Sequence, residues 1–253
     1  MTSPPLKITL ITVAYNSAAT IADTLASVAA QTHAEIEHIV IDGQSTDATI
    51  EIVRRHGAHV STLVSEPDDG IYDAMNKGIA LATGELIGFL NADDVLNGND
   101  AVSSVARAAA TGCEVVYADL VYVRNDDLDR VVRHWRSGGF RRSRLRFGWM
   151  PPHPTFYVRR ELLREVGGFD TSFRIAADYD FMLRCLARPA VKVSYVPQVL
   201  VRMRTGGVSN AGLSSMLRKS REDLVALRRH SIGGLLTLVA KNLRKLPQYF
   251  HGA

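Results

Sequence analysis

A short polar run, Asn91-Ala92-Asp93-Asp94, directly follows an apolar segment of the chain. Carboxylate and amide oxygens are hard ligands, which suit Mg²⁺ or Mn²⁺ better than Zn²⁺. Magnesium typically takes one or two protein carboxylates and completes its shell with water and substrate phosphates. The run Asn91-Ala92-Asp93 therefore fits a metal site that is completed by a bound nucleoside diphosphate. The competing interpretation is that Asp93 and Asp94 only cap the following turn.

Other common catalytic motifs do not occur in the sequence. It has no HExxH or paired CxxC motif, no GxxxxGK[ST] loop and no GxGxxG after a strand. Zinc hydrolases, P-loop ATPases and Rossmann dehydrogenases are therefore disfavoured. Cys113 and Cys185 lack metal-ligand spacing, so we expect two free, buried thiols in a reducing cytoplasm.

The polar residues follow predicted strands. Apolar, β-branched segments at residues 7–14, 36–41, 59–64 and 85–90 predict strands, and helical patterns lie between them. This alternation predicts a parallel sheet covered by helices on both faces. Ligands bind such sheets at the carboxyl ends of the strands. We therefore expect the polar residues after three of these strands to share one crevice: Tyr15, Asn16, Asp42, Asn91, Asp93 and Asp94.

The second half of the chain is less regular. Its patterns predict helices near residues 100–111 and 178–188 and strands at 114–123, 130–135, 191–196 and 199–204, with a basic loop at 137–150. Two further helices, at residues 210–230 and 232–249, close the chain. We interpret the whole as one continuous domain with a helical tail.

The basic residues are unevenly distributed. The chain is 46% hydrophobic and 22% charged with a net charge of +4, which is ordinary for a globular protein with a sizeable core. Residues 131–150 contain arginines and no acid, and bases dominate after residue 216. No nucleic-acid motif accompanies these bases, so nucleic acid is not expected as a partner.

The last predicted helix combines an apolar side with Lys241, Arg244 and Lys245. An amphipathic basic helix of this kind is typical of attachment to an anionic membrane surface. The alternative is that its apolar side packs on the domain or on a partner chain. No apolar run reaches the roughly 18 residues of a membrane-spanning helix.

Six segments of the chain, taken in order, resemble glycosyltransferase family 2, which has the GT-A fold. They are ITVAYN (11–16), VIDGQSTD (40–47), EPDDGIYDAMNKG (66–78), FLNADD (89–94), HPTFYVRRELLREVGGFD (153–170) and AADYDFMLR (176–184). Each is short, and their joint order and spacing carry the resemblance. It implies an α/β, Rossmann-like GT-A fold with a central, mostly parallel sheet flanked by helices. Residues 1–205 would form the GT-A domain, with the nucleotide-sugar half at 1–97, the acceptor side at 98–205, and basic amphipathic helices at 206–253.

The resemblance also implies a function. It implies an inverting enzyme that transfers a sugar from a nucleotide-sugar, with UDP as the expected nucleotide, to an acceptor hydroxyl. The expected acceptor is a lipid-linked glycan or glycolipid precursor in cell-surface polysaccharide biosynthesis. The expected location is the cytoplasm, with peripheral attachment to the inner face of the cell membrane.

Family roles carry over to matching positions of this chain. Asp178 would be the catalytic base, and Asp93 would bind Mn²⁺ or Mg²⁺. His153 and Asp180 are expected on the acceptor side. The residues expected to bind the nucleotide-sugar are Thr12, Ala14, Tyr15, Asn16, Asp42, Ser45, Asp69, Asn76, Lys77, Asn91, Ala92, Asp93 and Arg204.

Two positions depart from the family pattern. Asn91 replaces the first carboxylate of the DxD motif, and Ala177 replaces the Glu of an acceptor-side Glu-Asp pair. Metal binding would then depend mainly on Asp93. A nucleotidyltransferase and a non-catalytic nucleotide-sugar-binding module are the alternative functions, and the second treats both departures as losses.

Several assignments have simpler structural alternatives. Asp178 could cap its helix while Asp180 serves as the base, and Asp42 could hold the turn at Gly43. Tyr15 could belong to the core. Lys77 could be an ordinary surface lysine, and His153 could be a packed loop residue.

Overall fold

The computed structural model describes residues 5–206 and 213–244. The strands in these ranges are β1 (Ile8–Ala14), β2 (Ile36–Asp42), β3 (Val60–Ser65), β4 (Leu86–Phe89), β5 (Val95–Leu96), β6 (Val115–Arg124), β7 (Asp127–Trp135), β8 (Tyr157–Arg159) and β9 (Val193–Arg204). The α-helices are α1 (Ile21–Ala29), α2 (Thr49–His56), α3 (Ile71–Leu81), α4 (Ala101–Ala109), α5 (Arg160–Val166), α6 (Ala177–Leu186), α7 (Leu213–Arg229) and α8 (Leu235–Leu243). Two 3-10 helices lie at Arg142–Phe147 and His153–Thr155.

One nine-stranded sheet runs through the described residues, in the order β3-β2-β1-β4-β8-β6-β9-β5, with β7 paired to β6. The first four of these strands are parallel to one another, as predicted. β8 then runs antiparallel to both β4 and β6, so it joins a parallel half to a mixed half. The fold is a mixed α/β architecture with a central sheet flanked by helices.

The buried apolar runs explain the parallel half. Every residue of β1 is buried, as expected for a central strand covered on both faces. α3 lies very close to this strand, because a Cβ on Gly78 would meet Cγ2 of Ile11 at 2.4 Å. This close approach fixes α3 and the residues of its first turn relative to the sheet.

The second half differs from the sequence prediction in three places. β9 is one strand rather than two, because a register shift at Pro197-Gln198 lets pairing with β6 resume at Val199. The two-residue strand β5 was not predicted, and its shortness leaves little periodicity to detect. The basic segment predicted as loop contains the 3-10 helix Arg142–Phe147.

The C-terminal helices pack on the rest of the chain. α7 packs against α6, and α8 lies against α7 and the 3-10 helix Arg142–Phe147. The Lys241 ammonium pairs with Asp223 at 2.7 Å and lies 3.2 Å from the ring centroid of Tyr179. The predicted helical residues at 210–212 and 245–249 lie outside the described ranges. Within those ranges, no helix combines the length and the apolarity needed to span a bilayer.

Candidate active site

The carboxyl ends of β1, β2 and β4 meet at one edge of the sheet, as predicted. Ala14, the last residue of β1, pairs with Asp42, the last residue of β2. The Gly43 amide donates to the Ala14 carbonyl at 2.9 Å, and the Ala92 amide donates to Val13 at 3.3 Å. The polar loops that follow these strands therefore line a common edge.

Asn16 joins the loops after β1 and β2. Its φ of 48° lies in the left-handed region, which asparagine tolerates better than most residues. Its amide donates to Ser45 Oγ at 2.8 Å, and its side-chain oxygen accepts from the Thr46 amide at 2.9 Å. The neighbouring Tyr15 is 64% exposed, so it is not a core residue and stands free at this edge.

Asp42 is fully buried, and both oxygens of its carboxylate accept hydrogen bonds within the protein. It accepts hydrogen bonds from the Ser45 amide at 2.9 Å, from Ser65 Oγ at 2.7 Å and from Ser45 Oγ. These bonds support the interpretation that Asp42 holds the turn after β2. Ser45 links this carboxylate to Asn16 and so helps to shape the edge.

Several other expected donor-binding residues are engaged inside the protein. The buried Thr12 hydroxyl bonds the ring of His38 at 2.9 Å, so its side chain belongs to the core. The Asn76 amide group donates to the Phe169 carbonyl at 2.9 Å and accepts from its amide at 2.8 Å, which ties α3 to the loop before α6. Lys77 pairs with Glu66 at 2.9 Å and donates to the Pro67 carbonyl at 2.6 Å. The exposed Asp69 donates its amide to Asp73 at 3.2 Å.

The Asn91–Asp94 turn contains a buried carboxylate with an unused oxygen. Asp94 is fully buried, and its Oδ2 accepts from Asn91 Nδ2 at 3.2 Å. Its Oδ1 has no hydrogen-bond partner among the described residues. Burial, together with the neighbouring charge of Asp93, raises the pKa of Asp94 well above its usual range, and burial also raises that of Asp93.

This turn fits a divalent cation. An unpaired buried oxygen beside a second carboxylate is a hard-ligand environment in which a cation would stabilise the ionised forms. In the described ranges, no group of three or more His, Cys, Asp or Glu residues could hold a metal. The protein would therefore supply few ligands, which agrees with Mg²⁺-type sites completed by phosphate and water.

Arg204 supports the same turn from the end of β9. It is 5% exposed, and all three guanidinium nitrogens are engaged. Nη1 donates to the Asp93 carbonyl at 2.7 Å, Nε donates to the Asn125 carbonyl at 3.2 Å, and Nη2 pairs with Asp23. Arg204 thus holds the backbone of the turn, and its direct contact with the nucleotide stays a prediction.

A chain of aromatic contacts connects the end of β4 to the start of α6. The ring of His153 stacks on Phe89 at 5.3 Å and meets the edge of Phe169 at 5.6 Å. Phe169 stacks on Tyr72 at 5.6 Å, and the Tyr72 hydroxyl contacts Asp178 Oδ1 at 3.3 Å. The half-buried Asp178 therefore lies on the same side of the molecule as the β4 end.

His153 is buried and its Nε2 has no hydrogen-bond partner among the described residues. Burial lowers the pKa of His153, and the nearby Asp178 carboxylate opposes that shift. Burial therefore favours the neutral form of the ring.

Asp180 has a structural role. It is fully buried, and its carboxylate bonds Arg184 Nε at 2.9 Å and His230 Nε2 at 2.8 Å. These partners occupy both carboxylate oxygens inside the protein. The alternative in which Asp180 replaces Asp178 as the base, and its expected place on the acceptor side, lose support for this reason.

Sequence reasoning missed two residues beside Asp178. Tyr72 lies in the recognised segment 66–78, but nothing in its pattern distinguishes it from a core aromatic. Glu222 lies in α7, and its carboxylate accepts hydrogen bonds from the backbone just before α6. The sequence around Glu222 predicts only a basic helical tail, because a long-range side-chain contact leaves no local signal.

Comparisons with known proteins agree on the family. Residues 9–177 match the family described as "Glycosyl transferase family 2". A "PGL/p-HBAD biosynthesis glycosyltransferase" of Mycobacterium bovis (strain BCG / Pasteur 1173P2) is 35% identical over 214 residues, which cover 83% of this chain and 81% of that protein.

Solved structures agree on the fold. S. aureus TarS 1-349 in complex with UDP-GlcNAc superposes with a TM-score of 0.68 at 18% identity, over 98% of this chain and 72% of that one. The mannosyltransferase PcManGT from Pyrobaculum calidifontis, in complex with GDP-Man and Mn²⁺, superposes with a TM-score of 0.68 at 22% identity, over 99% of this chain and 74% of that one. The family match spans residues 9–177, and a relative that is 35% identical covers 83% of this chain. This protein is therefore a glycosyltransferase that belongs to glycosyl transferase family 2.

Proposed function

We propose that this chain transfers a sugar, with inversion at the anomeric carbon, from a UDP-sugar to the hydroxyl of a lipid-linked glycan or glycolipid acceptor. The observation that carries the proposal is the Asn91–Asp94 turn, where the Asp94 oxygen without a partner lies beside Asp93 at the end of β4. The aromatic contacts from Phe89 to Tyr72 lead from this turn to Asp178.

On the donor side, the nucleotide would lie along the common strand-end edge. The exposed Tyr15 would flank the nucleobase, and the turn held by Asp42 and Ser45 would shape the nucleobase pocket. Asp93, assisted by Asn91 or Asp94, would hold Mn²⁺ or Mg²⁺ against the diphosphate. A bound divalent ion supplies charge stabilisation to a departing diphosphate.

Asp178 is the proposed base. Its carboxylate would take the proton of the acceptor hydroxyl while the oxygen of that hydroxyl bonds the anomeric carbon from the face opposite the diphosphate. The bond between the anomeric carbon and the diphosphate oxygen breaks with its electron pair leaving on the diphosphate. The products are the glycoside and the nucleoside diphosphate. His153 would lie beside this base on the acceptor side.

The acceptor class is supported by an apolar surface on α8. Its apolar residues with exposed side chains are Leu235, Leu236, Val239 and Leu243, and Leu236 is 86% exposed. They lie opposite the face formed by Thr237 and Lys241, which packs on the protein. We call these four residues the α8 apolar face and propose that it rests on a membrane surface, at the cytoplasmic side.

The charges around the α8 apolar face match anionic lipid. Exposed Arg142, Arg146 and Phe147 belong to the 3-10 helix beside α8, and exposed Arg244 donates to the Phe147 carbonyl at 3.1 Å. Neither residues 130–160 nor residues 224–253 contain an acid. Anionic lipid contributes about 1 kcal/mol per basic residue near the surface.

Vesicle flotation tests the membrane surface. The full chain should float with vesicles of anionic phospholipid and lose this binding at high salt. Leu236→Glu combined with Leu243→Glu should abolish flotation, whereas Leu217→Glu, at an exposed leucine of α7, should not. Equal flotation of all variants, or flotation with neutral phosphatidylcholine alone, contradicts the proposal.

A thermal-shift panel tests the donor. UDP-sugars, GDP-sugars and the nucleoside triphosphates are compared with Mn²⁺ and with EDTA. A ligand at about 100 times its Kd stabilises the folded state by about 2.7 kcal/mol through mass action. We expect a UDP-sugar to give the largest Mn²⁺-dependent rise in Tm. A preference for nucleoside triphosphates over all nucleotide-sugars contradicts the proposed donor.

A further inference from the structure

Glu222 of α7 holds the backbone immediately before α6. Its Oε1 accepts from the Arg174 amide at 3.2 Å, and its Oε2 accepts from the amides of Ile175 at 2.8 Å and Ala176 at 2.9 Å. Three consecutive amides thus converge on one carboxylate from a helix distant in sequence.

These bonds meet a need at the start of α6. The first amides of a helix have no partner within the helix. α6 begins at Ala177, and of the three amides that Glu222 accepts, only that of the N-cap residue Ala176 belongs to this group. A carboxylate at a helix N-terminus is also favoured by the helix dipole. Glu222 therefore fixes the backbone that leads into α6.

The same backbone segment is held from the opposite side by α3. The Tyr72 hydroxyl donates to the Ile175 carbonyl at 2.7 Å and contacts Asp178 Oδ1 at 3.3 Å. The backbone of Ile175 is thus hydrogen-bonded to Glu222 through its amide and to Tyr72 through its carbonyl. A shift of this segment would move Asp178 relative to Tyr72 and to the rest of the site.

α7 itself is anchored independently of Glu222. Asp223 pairs with Lys241 of α8 at 2.7 Å, and Arg229 pairs with Asp170 at 2.6 Å. The Glu222 carboxylate is therefore presented to the α6 entry from a fixed helix. The C-terminal helices thereby become part of the architecture of the site.

We propose that Glu222 is a positioning residue for Asp178, which sets the carboxylate of the base through the backbone of residues 174–176. This inference rests on the proposed function of Asp178. A base displaced by about 1 Å can lose about 10²-fold in rate. Glu222 touches neither donor nor acceptor in this account, so its removal should act on kcat and leave donor binding unchanged.

The test measures release of nucleoside diphosphate by the full chain with Mn²⁺ and the nucleotide-sugar that gives the largest thermal shift. Glu222→Ala should lower kcat by about 10- to 100-fold with an unchanged KM for the donor. Glu222→Gln should recover part of the rate, because its amide oxygen can still accept from Ile175 and Ala176. Arg228→Gln is the matched control: it removes a charge at an exposed residue of the same helix that does not anchor α7, and it should keep kcat near the wild-type value.

A double-mutant cycle separates positioning from general destabilisation. If Glu222 acts through the base, Glu222→Ala should cause no further loss of rate in an Asp178→Asn background. Equal losses in both backgrounds, a raised donor KM, or a wild-type kcat would overturn the inference. So would unchanged amide hydrogen exchange at residues 174–178 in Glu222→Ala, a readout that does not depend on turnover. A wild-type rate for Asp178→Asn alone would instead contradict the proposed base.

Discussion

The guanidinium of Arg204 donates a hydrogen bond to the backbone carbonyl of Asp93, with Nη1 and the oxygen 2.7 Å apart. The contact joins the end of β9 to the turn after β4, across residues far apart in the chain. Arg204 also bonds Asn125 and pairs with Asp23 of α1, so it links two loops and a helix. The turn that carries the proposed metal ligand is thus held by a buried arginine from the acceptor-side half.

Arg204→Met should weaken both the fold and the metal–donor site. It leaves the carbonyls of Asp93 and Asn125 without their donors, which costs about 1–3 kcal/mol in the free energy of unfolding. The Mn²⁺-dependent thermal shift with donor should shrink as well, because the turn is no longer fixed. Arg202→Met is the control. Arg202 lies on the same strand as Arg204, but its side chain bonds Asn97 and Asp129 instead of the turn. Equal donor shifts in the two variants would refute this role.

Asp178→Asn and Asp180→Asn should fail in different ways. Asp178→Asn should lower turnover by about 10²–10⁴-fold, the usual contribution of a general base, while the donor-induced thermal shift persists. Asp180→Asn breaks the buried ion pair with Arg184 and alters the hydrogen bond with His230, and removing one partner of a buried pair costs about 3–5 kcal/mol. Turnover per folded molecule should then remain close to wild type. The reverse pattern, in kinetic assays matched to Tm measurements, would exchange the two roles.

Asn91→Asp should strengthen metal binding at the expense of the metal-free protein. Asn91 Nδ2 now donates to Asp94 Oδ2 at 3.2 Å. A carboxylate in its place removes this bond and adds negative charge beside Asp93 and Asp94. Tm in EDTA should fall, and the rise in Tm on adding Mn²⁺ should exceed that of the wild type. A smaller rise with Mn²⁺ than in the wild type would argue against a cation at this turn.

Glu37 should make folding stability depend on acid pH without affecting the site. Burial alone raises the pKa of Glu37, but hydrogen bonds from Thr83 and Thr9 and the nearby Lys7 outweigh it and bring the pKa to about 2, from 4.5. Because the folded state favours the ionised form, Glu37 stabilises the fold fully above pH 4.5, and this contribution disappears as pH falls towards 2.

The corresponding variant is Glu37→Gln. Compared with the wild type, it should lose up to about 3 kcal/mol in the free energy of unfolding at pH 7, and the difference should shrink on acidification. Its donor-induced shift at pH 7 should match the wild type, because Glu37 lies at the start of the strands that lead to the site. Denaturant titrations between pH 7 and pH 2 would measure the difference in the free energy of unfolding between the two proteins. A difference that grows towards pH 2 would contradict the lowered pKa of Glu37.

The parallel half of the fold could be predicted because its strands are buried, apolar and separated by helical patterns. The same regularity placed Tyr15, Asn16, Asp42 and Asp93 at one edge. The second half resisted prediction because its order depends on long-range pairing: β8 inserts between β4 and β6, and Pro197-Gln198 is absorbed as an irregularity within one strand.

The side-chain partners of the site were also beyond reach of the sequence. Asn76, Lys77 and Arg204 have residue types that suit a diphosphate or ribose, yet the structure engages them with Phe169, Glu66 and Asp93. Such partners come from distant segments, so residue type and local spacing carry no information about them. Glu222 shows this most clearly, because the local sequence of its helix predicts only a basic tail and gives no sign of its contact with residues 174–176.

The stereochemistry of donor turnover is the sharpest test of an inverting, metal-dependent sugar transfer. The wild-type chain is incubated with Mn²⁺ and an α-linked UDP-sugar, with water as the acceptor. Proton NMR then records the anomeric signals of the released sugar before its two anomers equilibrate. An inverting transferase should release UDP together with free sugar that first appears as the β-anomer, and both signals should disappear in EDTA. Initial release of the α-anomer, or release of pyrophosphate from a nucleoside triphosphate in place of any sugar, would contradict it.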